Sequence, residues 1–128
     1  MEYATKIIQP KLEDNDSLIV SSVIEIESLE HRQKIINENH IVVIKYGAEW
    51  CGPCKKSKPA YNSLCASDDS KQCIYATEDI DDEYENYPEN ITSIPTFHFY
   101  KNKEFVKSIM GADMLSVVDV LEELNKIK

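Results

Sequence analysis

The sequence predicts an α/β fold in which helices flank a central mixed β-sheet, with the elements in the order βαβαβαββα. Apolar, β-branched runs of strand length alternate with stretches whose apolar residues recur at helical spacing. Near the C-terminus two strand-like runs follow each other with only a short turn between them, so the sheet should be mixed rather than all parallel. At 128 residues the chain is long enough for one domain with its own core.

The first third of the chain predicts a polar extension, a strand and a helix. Residues 1–16 are mixed and polar, and we expect them to form a mobile extension ahead of a domain that spans residues 17–128. The β-branched run Leu18–Ile26 predicts the first strand. Ser28 is suited to cap a helix that ends near Asn39.

The middle of the chain predicts a buried strand, a long helix and another strand. Ile41–Tyr46 is almost continuously apolar, as expected of a strand that is covered on both faces. A helix should begin within Gly47–Cys54 and end near Ser67. A turn at Asp68–Ser70 and a strand at Cys73–Thr77 should follow.

The last part of the chain predicts an acidic connection, a hairpin and a final helix. Seven carboxylates and no lysine or arginine lie in Glu78–Glu89, which we expect to form a solvated loop and a short helix. Thr96–Tyr100 and Glu104–Met110 predict the two strands of the hairpin. Because Lys103 stands where a type I′ turn favours glycine, we expect a different turn. Asp113 is placed to cap the last helix.

The net charge and the lack of long apolar segments limit the partners and the compartment that we expect. Fourteen Lys and Arg against twenty-three Asp and Glu give a formal net charge of −9, which disfavours nucleic acid and anionic membranes as partners. No stretch approaches the roughly 18 apolar residues of a membrane span, and the N-terminus lacks the apolar core of a signal peptide. We therefore expect a cytoplasmic protein whose four cysteines form no disulfide framework.

The segment Trp50–Cys54 carries the chemistry that the sequence indicates. Two thiols three positions apart at a helix start lie about one turn apart, so Cys51 and Cys54 can form a disulfide. The positive end of the helix favours the thiolate of the first thiol, which would attack a partner disulfide and form a mixed disulfide. The second thiol would then attack the first and release the reduced partner. Pro53 fits the first turn of the helix.

A zinc site is the structural alternative for two closely spaced cysteines. The pair supplies only two of the four ligands of structural zinc, so Cys65, Cys73 or a histidine would have to complete the site. No second ligand pair occurs at short spacing, and we predict no metal. We expect Cys65 and Cys73 to be small buried thiols, with a disulfide across the intervening turn as the alternative. We interpret His98 as a structural residue.

Further matches connect the cysteine pair to a known family. They are the run Ala-Glu-Trp-Cys-Gly-Pro-Cys-Lys at residues 48–55, Pro59 five residues after the second cysteine, Ile94-Pro95-Thr96 and Gly111-Ala112. With these residues the chain resembles thioredoxins over about residues 22–127. The resemblance implies the thioredoxin fold, a cis bond before Pro95 and the activity of a protein-disulfide reductase.

The resemblance also implies how such a site is used. Cys51 would be the nucleophile and Cys54 the resolving thiol, with no bound cofactor. A partner polypeptide would pair with the backbone of Ile94 like a short strand. The residues that would grip it are Trp50, Gly52, Pro53, Ile94, Pro95, Thr96, Gly111 and Ala112. Partners would be disulfide-containing proteins, and electrons would come from NADPH through a thioredoxin reductase or from another dithiol donor. We expect a monomer.

Lys45 departs from the family pattern, because thioredoxins carry a buried Asp at the corresponding place. Three interpretations are open. The ammonium can reach solvent along its methylene stem. It can lie near the cysteines and stabilise the thiolate, which would make the protein more oxidising. It can also be neutral and act as a base toward Cys54.

This departure keeps two other functions open beside disulfide reduction. A redox-capable fold can serve mainly as a binding adaptor, in which case Lys45 and residues 1–16 would mark the adaptation. The chain can also act as a thioredoxin-like oxidant or isomerase. Gly52 and Pro53 between the cysteines are typical of the reducing members, and turnover with a reductase would separate these functions.

Overall fold

The structure, a computed structural model, describes residues 23–68, 73–80, 88 and 91–126. Within these ranges the strands are β1 Ile24–Glu25, β2 Ile41–Gly47, β3 Cys73–Asp79, β4 Thr96–Lys101 and β5 Glu104–Met110, and the helices are α1 Leu29–Glu38, α2 Gly52–Ser67 and α3 Met114–Lys126. The strands form one sheet in the order β1-β3-β2-β4-β5. Both β1 and β2 run parallel to β3, whereas β4 is antiparallel to β2 and to β5. The predicted α/β fold with a central mixed sheet is confirmed.

The strand β2 lies at the centre of the sheet because both of its faces are apolar. All seven of its residues are buried. Ile41 and Val43 belong to a core cluster that includes residues of α2 and α3. Val42 and Ile44 point to the other face and belong to a cluster that includes residues of α1. The same strand therefore supports both layers of the core, and it ends at Gly47, close to the start of α2.

Two helices begin where the sequence places their caps. The Oγ of Ser28 accepts a hydrogen bond from the His31 N–H at 3.0 Å, at the start of α1. The carboxylate of Asp113 accepts from the N–H of Ser116 at 3.2 Å and from its hydroxyl at 2.7 Å, at the start of α3. Side-chain acceptors of this kind satisfy N–H groups that have no partner within the helix. Both predicted caps are confirmed.

The hairpin between β4 and β5 corrects one prediction. Lys101 pairs with Glu104, so the loop consists of Asn102 and Lys103, whose φ values are 53° and 76°. Two positive φ values in a two-residue loop define a type I′ turn, so the expectation of a different turn is wrong. Asn102 explains the outcome, because its N–H donates to His40 O at 2.8 Å and its Oδ1 lies 2.7 Å from His40 Nδ1.

The acidic run begins in the core rather than in a solvated loop. Glu78 belongs to β3 and is 1% exposed. The Nη1 of Arg32, in α1, donates to its two carboxylate oxygens at 3.1 and 3.0 Å. A buried carboxylate is stable when it is paired in this way. The expectation that Glu78–Glu89 is solvated throughout is therefore wrong at its first residue.

Several predictions concern residues outside the described ranges. They are the mobile extension at residues 1–16, the first five residues of the predicted strand at 18–22, part of the turn at 69–70, and the loop and short helix at 81–87 and 89. Where the first predicted strand is described, it covers Ile24–Glu25. In the part of the chain that the structure describes, no helix has the length and apolar character needed to cross a membrane.

Candidate active site

The start of α2 brings the two motif cysteines together. Cys51 is the N-cap of α2, with extended backbone (φ −89°, ψ 117°), and its carbonyl accepts from the Lys55 N–H at 3.1 Å. Its Sγ accepts from the N–H of Cys54 at 3.3 Å. Pro53 has no N–H to satisfy in this first turn. The sulfur of Cys51 thus takes the place of a capping acceptor at the positive end of the helix.

Both cysteines are free thiols in this structure and are largely covered by protein. Cys51 is 6% exposed and Cys54 is 5% exposed. They form a small buried cluster with Ala48, and Ile94 packs against it. Burial, followed by a hydrogen bond with Cys51, raises the pKa of Cys54 to about 11. At neutral pH Cys54 is therefore a protonated thiol in the dithiol form.

The segment that precedes β4 lies next to the cysteines. The bond between Ile94 and Pro95 is cis, as the resemblance implies. The Cys51 thiol donates to Ile94 O at 3.8 Å. Gly111, which follows β5, donates its N–H to Pro95 O at 2.7 Å, and its φ of +90° lies in the left-handed region that favours glycine. Three segments distant in sequence therefore meet at the site.

The residues expected to grip a partner divide into two groups. Six are exposed or partly exposed, and we call them the partner surface: Trp50, Gly52, Pro53, Ile94, Gly111 and Ala112. Trp50 has 69% of its surface exposed. Pro95 and Thr96 are buried, and the hydroxyl of Thr96 donates to Ser93 O at 2.7 Å. The side chain of Thr96 is thus directed into the protein and supports the loop.

Lys45 lies beneath the start of α2 rather than at solvent. It is the fifth residue of β2, and it is 5% exposed. Its Nζ donates to Cys54 O at 2.9 Å and lies 5.8 Å from the centroid of the Tyr61 ring. The interpretation in which the ammonium reaches water is therefore excluded, and the amine belongs to the site.

Gly47 is a site residue to which the sequence assigned no role. A Cβ at this position would lie 3.0 Å from the Sγ and 3.3 Å from the Cβ of Cys54. A larger residue would therefore have to displace the thiol or the strand. The signal in the sequence is a lone glycine at the end of an apolar strand and four residues before Cys51, where close approach of another segment is a common reason for glycine.

The other candidate residues lie away from this site. Cys73 pairs with Ile41, at the opposite end of β2 from the cysteine pair, and burial raises its pKa to about 12. Neither Cys65 nor Cys73 is disulfide-bonded; Cys73 is buried as predicted, whereas the prediction is wrong for Cys65, which is partly exposed. His98 is 1% exposed, and burial lowers its pKa to about 4, as suits a neutral core residue. Among the described residues, no group of three or more His, Cys, Asp or Glu is arranged to hold a metal ion.

Comparison with known proteins gives the family of the chain. A family model described as Thioredoxin matches residues 22–123. The chain belongs to the thioredoxin family. Thioredoxin 1 of Plasmodium falciparum is 37% identical to it over 106 residues, which cover 82% of this chain and 94% of that protein. Thioredoxin of Gallus gallus is 33% identical over 107 residues, which cover 83% of this chain and 99% of that protein.

A solved thioredoxin has the same architecture. The crystal structure of the long form of thioredoxin f from spinach chloroplast superposes with a TM-score of 0.74 at 24% identity, over 84% of this chain and 90% of that chain. At this identity the likeness shows the fold. Family membership shows the activity: as a thioredoxin, the chain is a thiol–disulfide oxidoreductase of the protein-disulfide reductase type. Thioredoxins need no bound cofactor for this chemistry.

Proposed function

We propose that this thioredoxin reduces disulfides in partner proteins with Cys51 as the nucleophile and Cys54 as the resolving thiol. The observation that carries the assignment is the position of the Cys51 Sγ at the N-terminus of α2, 3.3 Å from the amide of Cys54. The amide groups at a helix N-terminus stabilise negative charge on a sulfur that attacks from that place. Burial keeps Cys54 protonated, with a pKa of about 11. The two thiols therefore have different roles, with Cys51 as the nucleophile and Cys54 as the resolving thiol.

The exchange takes place in two steps. The Cys51 thiolate attacks one sulfur of the partner disulfide, the partner S–S bond breaks, and the other partner sulfur leaves as a thiolate. Cys54 then loses its proton and attacks the Cys51 Sγ, which expels the second partner sulfur. The partner gains two electrons and two protons, and the chain is left with a Cys51–Cys54 disulfide.

The partner surface surrounds the reacting sulfur. Because Ile94 O lies 3.8 Å from the Cys51 Sγ, an extended partner segment that pairs with the Ile94 backbone brings its disulfide to the nucleophile. The exposed ring of Trp50, the residue before Cys51, offers apolar contact to a partner. Pro95 supports this surface by accepting the Gly111 N–H at 2.7 Å.

We further propose a cytoplasmic monomer that a thioredoxin reductase re-reduces with electrons from NADPH. Membership of the family supports the reductase and disulfide-containing proteins as partners. The family match covers residues 22–123, and we propose a redox domain of residues 17–128 around it, preceded by an extension of residues 1–16.

Coupled turnover tests the electron donor and the direction of the reaction. The full chain is mixed with NADPH, a thioredoxin reductase and a disulfide-bonded test protein, and NADPH oxidation is followed by absorbance. We expect oxidation that depends on the chain and is lost in Cys51→Ser. If the chain cleaves the test disulfide after reduction by dithiothreitol but is not re-reduced by the enzyme, the proposed donor is wrong. If it does neither, the roles given to Cys51 and Cys54 are wrong.

A further inference from the structure

A buried amine lies against the backbone of the resolving cysteine. The Nζ of Lys45 donates to Cys54 O at 2.9 Å, and the residue is 5% exposed. An ammonium is costly to bury unless other groups compensate for the lost water. The carbonyl of Cys54 provides one such contact, and the ring face of Tyr61, 5.8 Å from Nζ, provides another.

The charges that act on Lys45 come from α2 and from β3. Burial is the largest influence on the pKa of Lys45 and lowers it. On α2, Cys54 acts most strongly and raises this pKa, Lys58 lowers it, and Cys51 raises it; on β3, Asp79 raises it. The protonated amine is therefore most stable when a cysteine of the pair is a thiolate. By thermodynamic reciprocity, the ammonium stabilises that thiolate.

Asp79 and β4 complete the surroundings of Lys45. The pKa of Asp79 is raised mainly by burial and then by Glu49 and Glu25. Asp79 lies beside Gly47 in the register of β2 with β3, two residues from Lys45. On β4, the residue paired with Lys45 is Phe97, which carries no charge. The positive charge of Lys45 therefore faces the cysteine pair, and neither β2 nor β4 places an acidic residue beside it.

We infer that Lys45 is a positioning residue of the resolving step, in which its ammonium stabilises the thiolate that forms on Cys54. The inference rests on the roles proposed for the two cysteines. In the mixed disulfide, Cys54 gives its proton to solvent, and its electron pair attacks the Cys51 Sγ. The bond between Cys51 and the partner sulfur breaks, and that sulfur leaves with the electron pair and takes a proton from solvent. Lys45 keeps its proton throughout. Its ammonium acts on the sulfur of Cys54, the same residue whose backbone carbonyl it contacts.

A coloured leaving thiol separates the two steps experimentally. The reduced full chain, in a Cys65→Ser background, is mixed with one equivalent of dithiobis(nitrobenzoate). The first release of nitrothiobenzoate reports the attack by Cys51, and the second release reports resolution by Cys54. Stopped-flow absorbance measures both rates from neutral pH to above the Cys54 pKa of about 11.

Lys45→Met is expected to slow the second release by at least about threefold at neutral pH. Each unit by which the Cys54 pKa rises lowers the thiolate fraction tenfold, whereas the greater nucleophilicity of the more basic thiolate speeds the attack about threefold. The net result is a rate about threefold lower. The slowing should stay constant while the pH lies below the Cys54 pKa of about 11, and it should shrink as the pH passes that value, because Cys54 then ionises without the help of the ammonium. Lys56→Met removes the same charge from an exposed position of α2 and should change the second release by less than about twofold.

Different failures have different meanings. If the second release is unchanged in Lys45→Met, or is slowed by the same factor below and above the Cys54 pKa of about 11, the inference is overturned, since a merely structural role predicts slowing that is independent of pH. Lys45→Arg keeps a positive charge that cannot act as a base, so partial recovery is expected. If Lys45→Arg melts at the same temperature as the unmodified chain but does not recover the rate of the second release, the inference is also overturned. If Lys45→Arg does not fold, the pH profile of Lys45→Met decides. If the unmodified chain gives no second release, the roles of Cys51 and Cys54 fail as well.

Discussion

Cys54→Ser is expected to convert the chain from a catalyst into a trap that holds each partner on Cys51 as a mixed disulfide. The first attack needs the Cys51 sulfur, which remains at the N-terminus of α2. The second attack needs a thiol within reach, and Cys54 provides it from the first turn of the same helix. A neighbouring group of this kind corresponds to a very high effective concentration, so replacing it with millimolar external thiol should reduce turnover at least ~1000-fold.

Mass spectrometry of the trapped species measures this result directly. We expect the mass of the chain plus one partner in Cys54→Ser, with the linkage mapped to Cys51 and reversed by dithiothreitol. Cys51→Ser should give neither the adduct nor turnover. Cys65→Ser is the matched control, because this cysteine lies near the end of α2, and its turnover should stay within about twofold of the unmodified chain. Full turnover by Cys54→Ser, or an adduct on a cysteine other than Cys51, would contradict the assignment.

Arg32→Met is expected to lower the free energy of unfolding by about 3–5 kcal/mol. The guanidinium contacts both carboxylate oxygens of Glu78, and the two side chains are 7% and 1% exposed. Methionine would leave Glu78 ionised in the core without this partner, or would force it to take up a proton. Removal of one partner is therefore far more costly than removal of both.

Urea denaturation followed by circular dichroism tests this prediction with two controls. Lys34→Met makes a similar change at an exposed position of α1 and should alter the free energy of unfolding by less than about 0.5 kcal/mol. The double variant Arg32→Met, Glu78→Leu removes both charges and should recover most of the loss. If Arg32→Met is as mild as Lys34→Met, the buried pair does not stabilise the fold as described.

The parts of the fold that follow from local patterns were predictable. The apolar run at Ile41–Tyr46 places β2 in the middle of the sheet, since a strand covered on both faces needs no polar alternation. Ser28 and Asp113 mark helix starts because their side chains bond to amides three residues later. Such signals lie within a few residues of the element that they define.

The parts that depend on distant partners were not predictable. Glu78 looks like one member of an acidic run, and its burial depends on Arg32, 46 positions away. The turn at Asn102 depends on His40, 62 positions away. In each case a contact made only in the folded chain outweighs the local preference of the residue.

The same distinction applies to the active site. The spacing of Cys51 and Cys54 on a helix start predicts that they meet, and the structure places the sulfur of one on the amide of the other. The place of Lys45 was left open among three interpretations, because its direction depends on how β2 packs against α2. Gly47 drew no functional interpretation, because the thiol that it accommodates belongs to the next element.

The reduction potential of the cysteine pair distinguishes a disulfide reductase from an oxidant or isomerase. The full chain is equilibrated with glutathione buffers, and the fluorescence of Trp50, its only tryptophan and the neighbour of Cys51, reports the fraction oxidised. We expect one two-electron transition at or below about −250 mV, close to the value of about −270 mV that is typical of thioredoxin, and no transition in Cys51→Ser. A transition well above that value, near the oxidising potentials of about −120 to −180 mV, would contradict a disulfide reductase and indicate an oxidant or isomerase.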